Sequence, residues 1–396
     1  MLLLATGVWT STARMALALD SLGCEVMLMA QRMHPAAKLE VVKKRFRYNS
    51  LRPVESVLQA IRGAEPDAVI PVDELAVLHL EELRVAAEAS RGAEELAAIA
   101  LLERSGGKAE VMAFGRSRIA LMELAREKGG AVPETMAIGG EGDLEIAGKQ
   151  LGWPLVLKAD ATFGGRGVRI VGSLAEAKAA WSLLHRAPSM VDAVRRGMIW
   201  NEWTHVRPWA RGETRAVVAQ KVVAGGRERT AMAMTQDGKL LAFVCLEVVQ
   251  ASAARGPASV LRVIEDATME AAMRTVVAEV GVSGFCGFDF MVDGEKPLLI
   301  EMNLRPTQLA HLPLGPGKDL VAAYVRAIVG VDVADRPAAT EGGLIALFPQ
   351  EVKRDAASHW LREGYHDVPW GQERLVRAVL KGKVPGVIGG DGRWKG

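Results

Sequence analysis

Cysteine is scarce, with three residues in a chain of 396. Cys24, Cys245 and Cys286 lie far apart, and none belongs to a CxxC pair or a Cys/His cluster. A disulfide framework and a thiolate zinc site are therefore excluded. No run of about 18 apolar residues occurs, so no membrane-spanning helix is expected. One-sided charge is missing too. The net charge is +2, which argues against nucleic-acid binding driven by charge. Short basic runs such as "KKRFR" (Lys43–Arg47) read as solvated helix faces. The first residues, "MLLLAT", are apolar but lack a basic stretch before them, and the run is soon broken. They read as a mature strand, not a signal peptide. The expectation is a cytoplasmic protein with no nucleic-acid and no membrane partner.

What remains is ordinary for a protein with sizeable cores: 49% hydrophobic and 24% charged residues. The length predicts roughly two to four lobes. The first hundred residues alternate strand and helix. "MLLLAT", "CEVMLMA" and "DAVIPV" read as strands, and "STARMALALDSLG", "VESVLQAIRGAEP" and "LAVLHLEELRVAAEAS" as helices. Such alternation predicts a parallel sheet with helices packed on it. The turn "TGVWTSTAR" is not GxGxxG, so a dinucleotide fingerprint is absent, and it reads as a tight strand-to-helix turn.

From Phe114 the pattern changes. "SRIALMELAREKGG" reads as a helix; "WPLVLKAD" and "GVRIVG" read as strands joined by the glycine-rich "ATFGGR". Two hairpins follow, one turning at Asp237-Gly238 and the other near Asp293-Gly294. This part reads as α+β and largely antiparallel.

The second hairpin ends in "IEMNLRPTQ" (Ile300–Gln308). Glu301, Asn303 and Arg305 occupy every second position, so in a strand they share one face. The hairpin brings Asp289, on the preceding strand, beside Glu301. Two carboxylates and an amide oxygen form a hard-oxygen set suited to Mg²⁺. Arg305 can hold a phosphoryl or carboxylate oxygen. Upstream, Lys158 ends an apolar strand, and the loop after it lets backbone N–H groups approach phosphates. Arg116 and Arg118 stand at a helix start.

The order of these pieces resembles the ATP-grasp superfamily, which includes biotin carboxylase, carbamoyl-phosphate synthetase and D-alanine–D-alanine ligase. The resemblance covers about residues 114–330, with "FDFMVD…LIEMNLRP" its most specific piece and "LKADATFGGRGVRIV" the next. It implies an ATP-grasp fold, α/β and α+β: a Rossmann-like parallel domain over 1–105, a small lobe over 106–225, a large lobe over 226–335 and a C-terminal extension over 336–396. It implies ATP and Mg²⁺, two ions, with Mn²⁺ as a substitute. Arg118 and Lys158 then touch the nucleotide. Thr162, Phe163, Gly164, Gly165, Arg166 and Gly167 form the loop over the phosphates. Gln220, Lys221, Val222 and Val223 form the adenine-reading link between lobes, with "WNEWTHV" (Trp200–Val206) as the alternative register. The usual acid on the ribose is not evident, because Arg227 falls near its place. Asp289, Glu301 and Asn303 match the metal ligands, and Arg305, Lys158 and Arg262 the catalytic cations.

The implied reaction activates a carboxylate as an acyl phosphate, which an amine then displaces. Small-molecule acids and amines are the implied partners, and dimers are common in the class. A carboxylase or carbamoyl-phosphate type enzyme, a kinase and an inert nucleotide-binding protein are the alternatives. Glu247, Ser259, Arg262, Thr307, Gln308 and His311 are candidates to meet the acceptor. "GYHDVPWGQE" (Gly364–Glu373) reads as a structural cap.

Overall fold

The computed structural model describes residues 1–90, 92–106, 108–115, 117–160, 162, 167–200, 203, 206–253 and 256–380. The described residues form three sheets. The first contains β1 (Leu2–Leu4), β2 (Val26–Ala30), β3 (Val42–Arg47) and β4 (Val69–Pro71), in the order β3-β2-β1-β4 and all parallel. Strands β1 and β2 are buried on both faces, which is why they read as unbroken apolar runs. The basic run Lys43–Arg47 is not a helix face. It belongs to edge strand β3, where Val42 is buried and Lys43, Lys44 and Arg45 are exposed. Exposed lysines on an edge discourage pairing with another chain.

The second sheet contains β5 (Thr135–Ile138), β6 (Leu155–Ala159), β7 (Val168–Val171) and β8 (Val217–Lys221), in the order β5-β8-β6-β7 and antiparallel. Helices Glu141–Leu151 and Leu174–His185 cover one face of it. The third sheet contains β9 (Arg227–Gln236), β10 (Lys239–Ala251), β11 (Ala258–Ile264), β12 (Gly284–Asp293), β13 (Lys296–Asn303), β14 (Leu344–Leu347) and β15 (Tyr365–Asp367). Its order is β13-β12-β9-β10-β11-β14-β15. The β9–β10 turn falls at Asp237 and Gly238, both at positive φ (47° and 76°), a twist that matches the flanking strands. The segment beyond 336 is part of this sheet, since it supplies β14 and β15.

One buried cluster joins two of the sheets. Leu3, Leu28 and Ile70 of the parallel sheet belong to the same buried cluster as Met232, Met234, Leu246 and Ile345 of the large sheet. The opposite face of the large sheet packs Phe288, Phe290 and Met302 against helices Arg118–Glu127 and Ala267–Val280. Each buried side chain of this size contributes roughly 1.5–3 kcal/mol.

Two buried histidines couple this packing to pH. His34 accepts the Ala36 amide at Nδ1 (3.1 Å), and His366 of β15 lies between the rings of Phe348 and Trp370. Burial lowers each from 6.5 to about 4. Between those values the unfolded chain binds protons that the folded chain refuses, so stability falls as pH drops from 6.5 towards 4. Each histidine costs at most about 3 kcal/mol. His366→Phe keeps the aromatic packing and removes the titration. Its urea midpoint is expected to fall less than the parent's between pH 7.5 and 4.5. Equal falls would show that His366 does not carry the effect. The variant isolates this histidine from carboxylates that titrate in the same range.

Candidate active site

The site begins with the β12–β13 hairpin. Asp293 pairs with Lys296 across the turn, and that register runs to Phe290 opposite Leu299; a bulge between Asp289 and Phe290 then shifts it by one residue and sets Asp289 opposite Glu301. Phe288 and Met302 go into the helix-covered core, so their neighbours Asp289, Glu301 and Asn303 must take the other face. Asn303 Nδ2 donates to Asp289 Oδ2 at 3.2 Å, and Thr230 Oγ1 of β9 donates to Asp289 Oδ1 at 3.0 Å. Gly287 pairs with Asn303; a Cβ there would lie 2.4 Å from Thr307 Cγ2. Its missing side chain lets the chain fold back over the sheet after Arg305.

The small sheet brings the cations. Lys158, on β6, is 9% exposed. Arg118, first in its helix, donates from Nη1 to Ala159 O (2.8 Å) and Asp160 Oδ1 (3.2 Å), and from Nη2 to Glu301 Oε1 (2.9 Å). One guanidinium thus ties the end of β6 to β13. Burial lowers Lys158 to about 8, while the charges of Glu301 and Asp289 pull it upwards. Burial, then the Glu301 charge, raises Asp289 to about 6. Two facing carboxylates of which one resists ionisation form a site that a divalent cation would relieve. Two carboxylates and an amide oxygen fit Mg²⁺, which completes its shell with water and phosphate oxygens. Among the described residues no group of three or more His, Cys, Asp or Glu side chains could hold a metal, so the amide of Asn303 is part of this fit.

Arg305 follows β13. Its Nε donates to Glu74 Oε1 at 2.6 Å, and Glu74 opens helix Glu74–Ser90 behind the parallel sheet. The phosphate-loop reading is bracketed by Thr162, whose Oγ1 donates to Ala159 O (2.7 Å), and by Gly167, just before β7. Phe163, Gly164, Gly165, Arg166 and Arg116 lie outside the described residues, as does most of the alternative link at 200–206. Gln220 is buried and donates to Thr135 Oγ1 (3.0 Å), and Lys221 pairs with Glu134 (3.0 Å). Both side chains are engaged by neighbours at the small sheet. Val222 and Val223 begin the connection from β8 to β9, which joins the two sheets.

Arg262 is not brought to this cluster. It pairs with Glu247, Glu247 pairs with Arg229, and Arg229 pairs with Phe290, all on the helix-covered face. Its guanidinium is half exposed and bonds Glu247 at 3.3 Å. Ser259 is buried and bonds the Gln250 carbonyl. His311 is buried beside Asp367 at 3.0 Å, a structural contact. The place given to Arg227 is also shifted. Arg227 bonds Glu247 on the far face, whereas Glu228 pairs with Met291 and so shares the face of Asp289. Glu228, Thr230, Asp160 and Glu74 escaped sequence reasoning. Glu228 and Thr230 had a local signal, since alternation along β9 puts them on one face.

No protein-family profile matches the chain, and no curated protein matches it in sequence. Solved structures do. Carboxyaminoimidazole ribonucleotide synthase from Aspergillus clavatus, complexed with ATP, is 17% identical over 84% of this chain and 78% of its own, with TM-score 0.60. Biotin carboxylase from Campylobacter jejuni is 17% identical over 84% and 72%, with TM-score 0.58. L-amino acid ligase from Bacillus licheniformis is 17% identical over 85% and 78%, with TM-score 0.59. These proteins share the ATP-grasp architecture. The chain has the ATP-grasp fold. Among the described residues no helix is long and apolar enough to cross a membrane.

Proposed function

We propose that the chain is an ATP-dependent ligase that activates a carboxylate as an acyl phosphate and transfers it to an amine, releasing ADP and phosphate. The observation that carries this reading is the Asp289–Glu301 pair, with Arg118 donating to Glu301 from the start of its helix and the buried Lys158 of the small sheet within reach of both charges. Carboxylate attack on ATP brings like charges together, so the site must supply cations and exclude water. Asp289, Glu301 and Asn303 would hold Mg²⁺, two ions with Mn²⁺ as a substitute, which when bound neutralises phosphate charge. Lys158 and Arg118 orient the phosphates. The loop 162–167, of which 163–166 lie outside the described residues, is assigned to the phosphates, and the backbone of 221–223 to the base. Glu228 takes the sugar-facing place that Arg227 cannot. Arg305 steadies the transferred phosphoryl group, and Glu74 holds its guanidinium in position. Arg262 has no part in the reaction. The lobes of this reading are 1–105, 106–225, 226–335 and 336–396, the last completing the large sheet. A synthase neighbour complexed with ATP and an L-amino acid ligase neighbour support the reading. We place the enzyme in the cytoplasm.

The test is ADP release with Mg²⁺ and ATP across pools of carboxylic acids, with and without amines, with products read by mass spectrometry. Amine-dependent release and a condensed product are expected; silence across all pools despite ATP binding sinks the proposal. Lys158→Met is expected to weaken binding of a non-hydrolysable ATP analogue by roughly 10- to 100-fold in calorimetry, because a nearly buried charge-assisted contact is lost. Unchanged affinity would remove Lys158 from the nucleotide site.

A further inference from the structure

Helix Glu74–Ser90 carries more apolar surface than the core uses. Ala76, Leu80 and Leu83, at helical spacing, belong to the buried cluster shared with the parallel sheet. Leu75 and Leu78 lie one turn apart on another stripe of the helix and are half-buried. Among the described residues they join none of the buried apolar clusters. Both line a cavity of about 90 Å³. Met112 and Leu121, from helices Ala109–Gly115 and Arg118–Glu127, and Leu304, just after β13, complete its apolar wall. Gly115 borders it too; a Cβ there would lie 2.4 Å from Leu304 Cδ1, so the glycine seats that leucine.

The other end of this cavity is the reacting centre, where Glu301, Asn303, Arg118 and Thr162 line it. Glu301 and Asn303 take one face of β13, and Met302 and Leu304 turn the other way. All four border the cavity, so it runs along the open edge of that strand. Glu74, which holds Arg305 at 2.6 Å, lines it as well. Among the described residues none of the link 220–223 borders it, so it is not the nucleoside end. A triphosphate and its metal are served by the polar end and have no use for the leucine wall. Solvent reaches Leu75 and Leu78, which an enclosed packing void would not allow.

We infer that this cavity holds the body of the acid that is activated, and that the acid carries a compact aliphatic group of about three to five carbons. The inference rests on the ligase reading for the position of the reacting end. In that reading the acid meets the phosphates before the amine arrives. Its carboxylate therefore lies at the Glu301 and Arg118 end, and its carbon body extends away from the charge. The apolar space that adjoins that end is this cavity. Ligand pockets combine such apolar walls with a few placed polar groups. An engineered cavity of roughly 150 Å³ takes benzene, so about 90 Å³ sets a size limit as well as a preference.

The test is calorimetry with Mg²⁺ and a non-hydrolysable ATP analogue present, titrating straight-chain carboxylates from acetate to decanoate. Affinity is expected to rise about three- to fourfold per methylene as far as butanoate to hexanoate, and then to fall. Leu78→Ala enlarges the cavity and is expected to move the optimum to an acid about two carbons longer. Leu75→Phe fills it and is expected to move the optimum to a shorter acid. Both side chains lie outside the core clusters, so both variants fold, which the urea midpoint reads. A flat series, a rise that continues to decanoate, or an optimum that neither variant moves overturns the inference. So does an optimum that appears with straight-chain amines and not with acids. A clear optimum with no ADP release from any acid sinks the ligase reading alone. ADP release with a flat series sinks the cavity assignment alone.

Discussion

Glu301→Gln is expected to lower Mg²⁺-dependent ADP formation by at least about 100-fold, the scale of losing a preorganised charge in a closed site. The change is isosteric and touches nothing in the core. Glu301 lies on β13, the edge strand of the large sheet, and is 36% exposed at its side chain. An amide there still accepts the hydrogen bond from Arg118 but no longer neutralises it. It also removes the like charge that helps raise Asp289, so the carboxylate pair loses its repulsion. Stability should hold or rise slightly while catalysis collapses, and that opposition is the diagnostic feature. ADP release and the urea midpoint, measured on the same preparation, read the two effects. Activity within tenfold of the parent would remove Glu301 from the metal set. A fall in both quantities would mean that Glu301 supports the fold instead.

How much of this was legible beforehand depended on the range of the interaction. The face shared by Glu301 and Asn303 follows from a period of two and was readable; the short turn brings Asp289 near Glu301, but their direct pairing depends on a bulge between Asp289 and Phe290 that the turn does not announce. Glu74 and Asp160 were not. Each reaches the site from a different sheet or helix, and their contacts with Arg305 and Arg118 exist only after the lobes assemble. Arg262 misled because its sequence neighbourhood is right and its face is wrong, and a face is set by register across β9, β10 and β11. Strand β3 was hidden by composition: its lysines and arginines mark an edge, and an edge strand lacks the apolar run by which β1 and β2 were found.

Asp367→Ala is expected to destabilise the protein by about 3–5 kcal/mol, because it strands buried partners. Asp367 ends β15 and is completely enclosed, with its side chain 3% exposed. One carboxylate oxygen bonds Arg14, in helix Thr10–Asp20; the other lies 3.0 Å from His311 Nε2, in the segment after β13. Burial alone would raise this acid, yet His311 and Arg14 outweigh burial and hold it below the usual carboxylate range. A lowered acid stabilises the folded state above its unfolded value of 3.8, and the benefit is lost only as pH falls below that. The deficit of the variant should therefore be complete at pH 5 and at pH 7, unlike that of His366→Phe, which depends on pH across the same interval. Arg14→Met combined with Asp367→Leu replaces the pair by apolar bulk and is expected to recover most of the loss, since no charge is then left unpaired. The urea midpoint decides it. If Asp367→Ala costs less than about 1 kcal/mol, water reaches the cluster and the pair behaves as a surface one. If the cost is large and the double replacement recovers it, the C-terminal segment is held to the parallel-sheet region by packing, with the ion pair specifying where it docks.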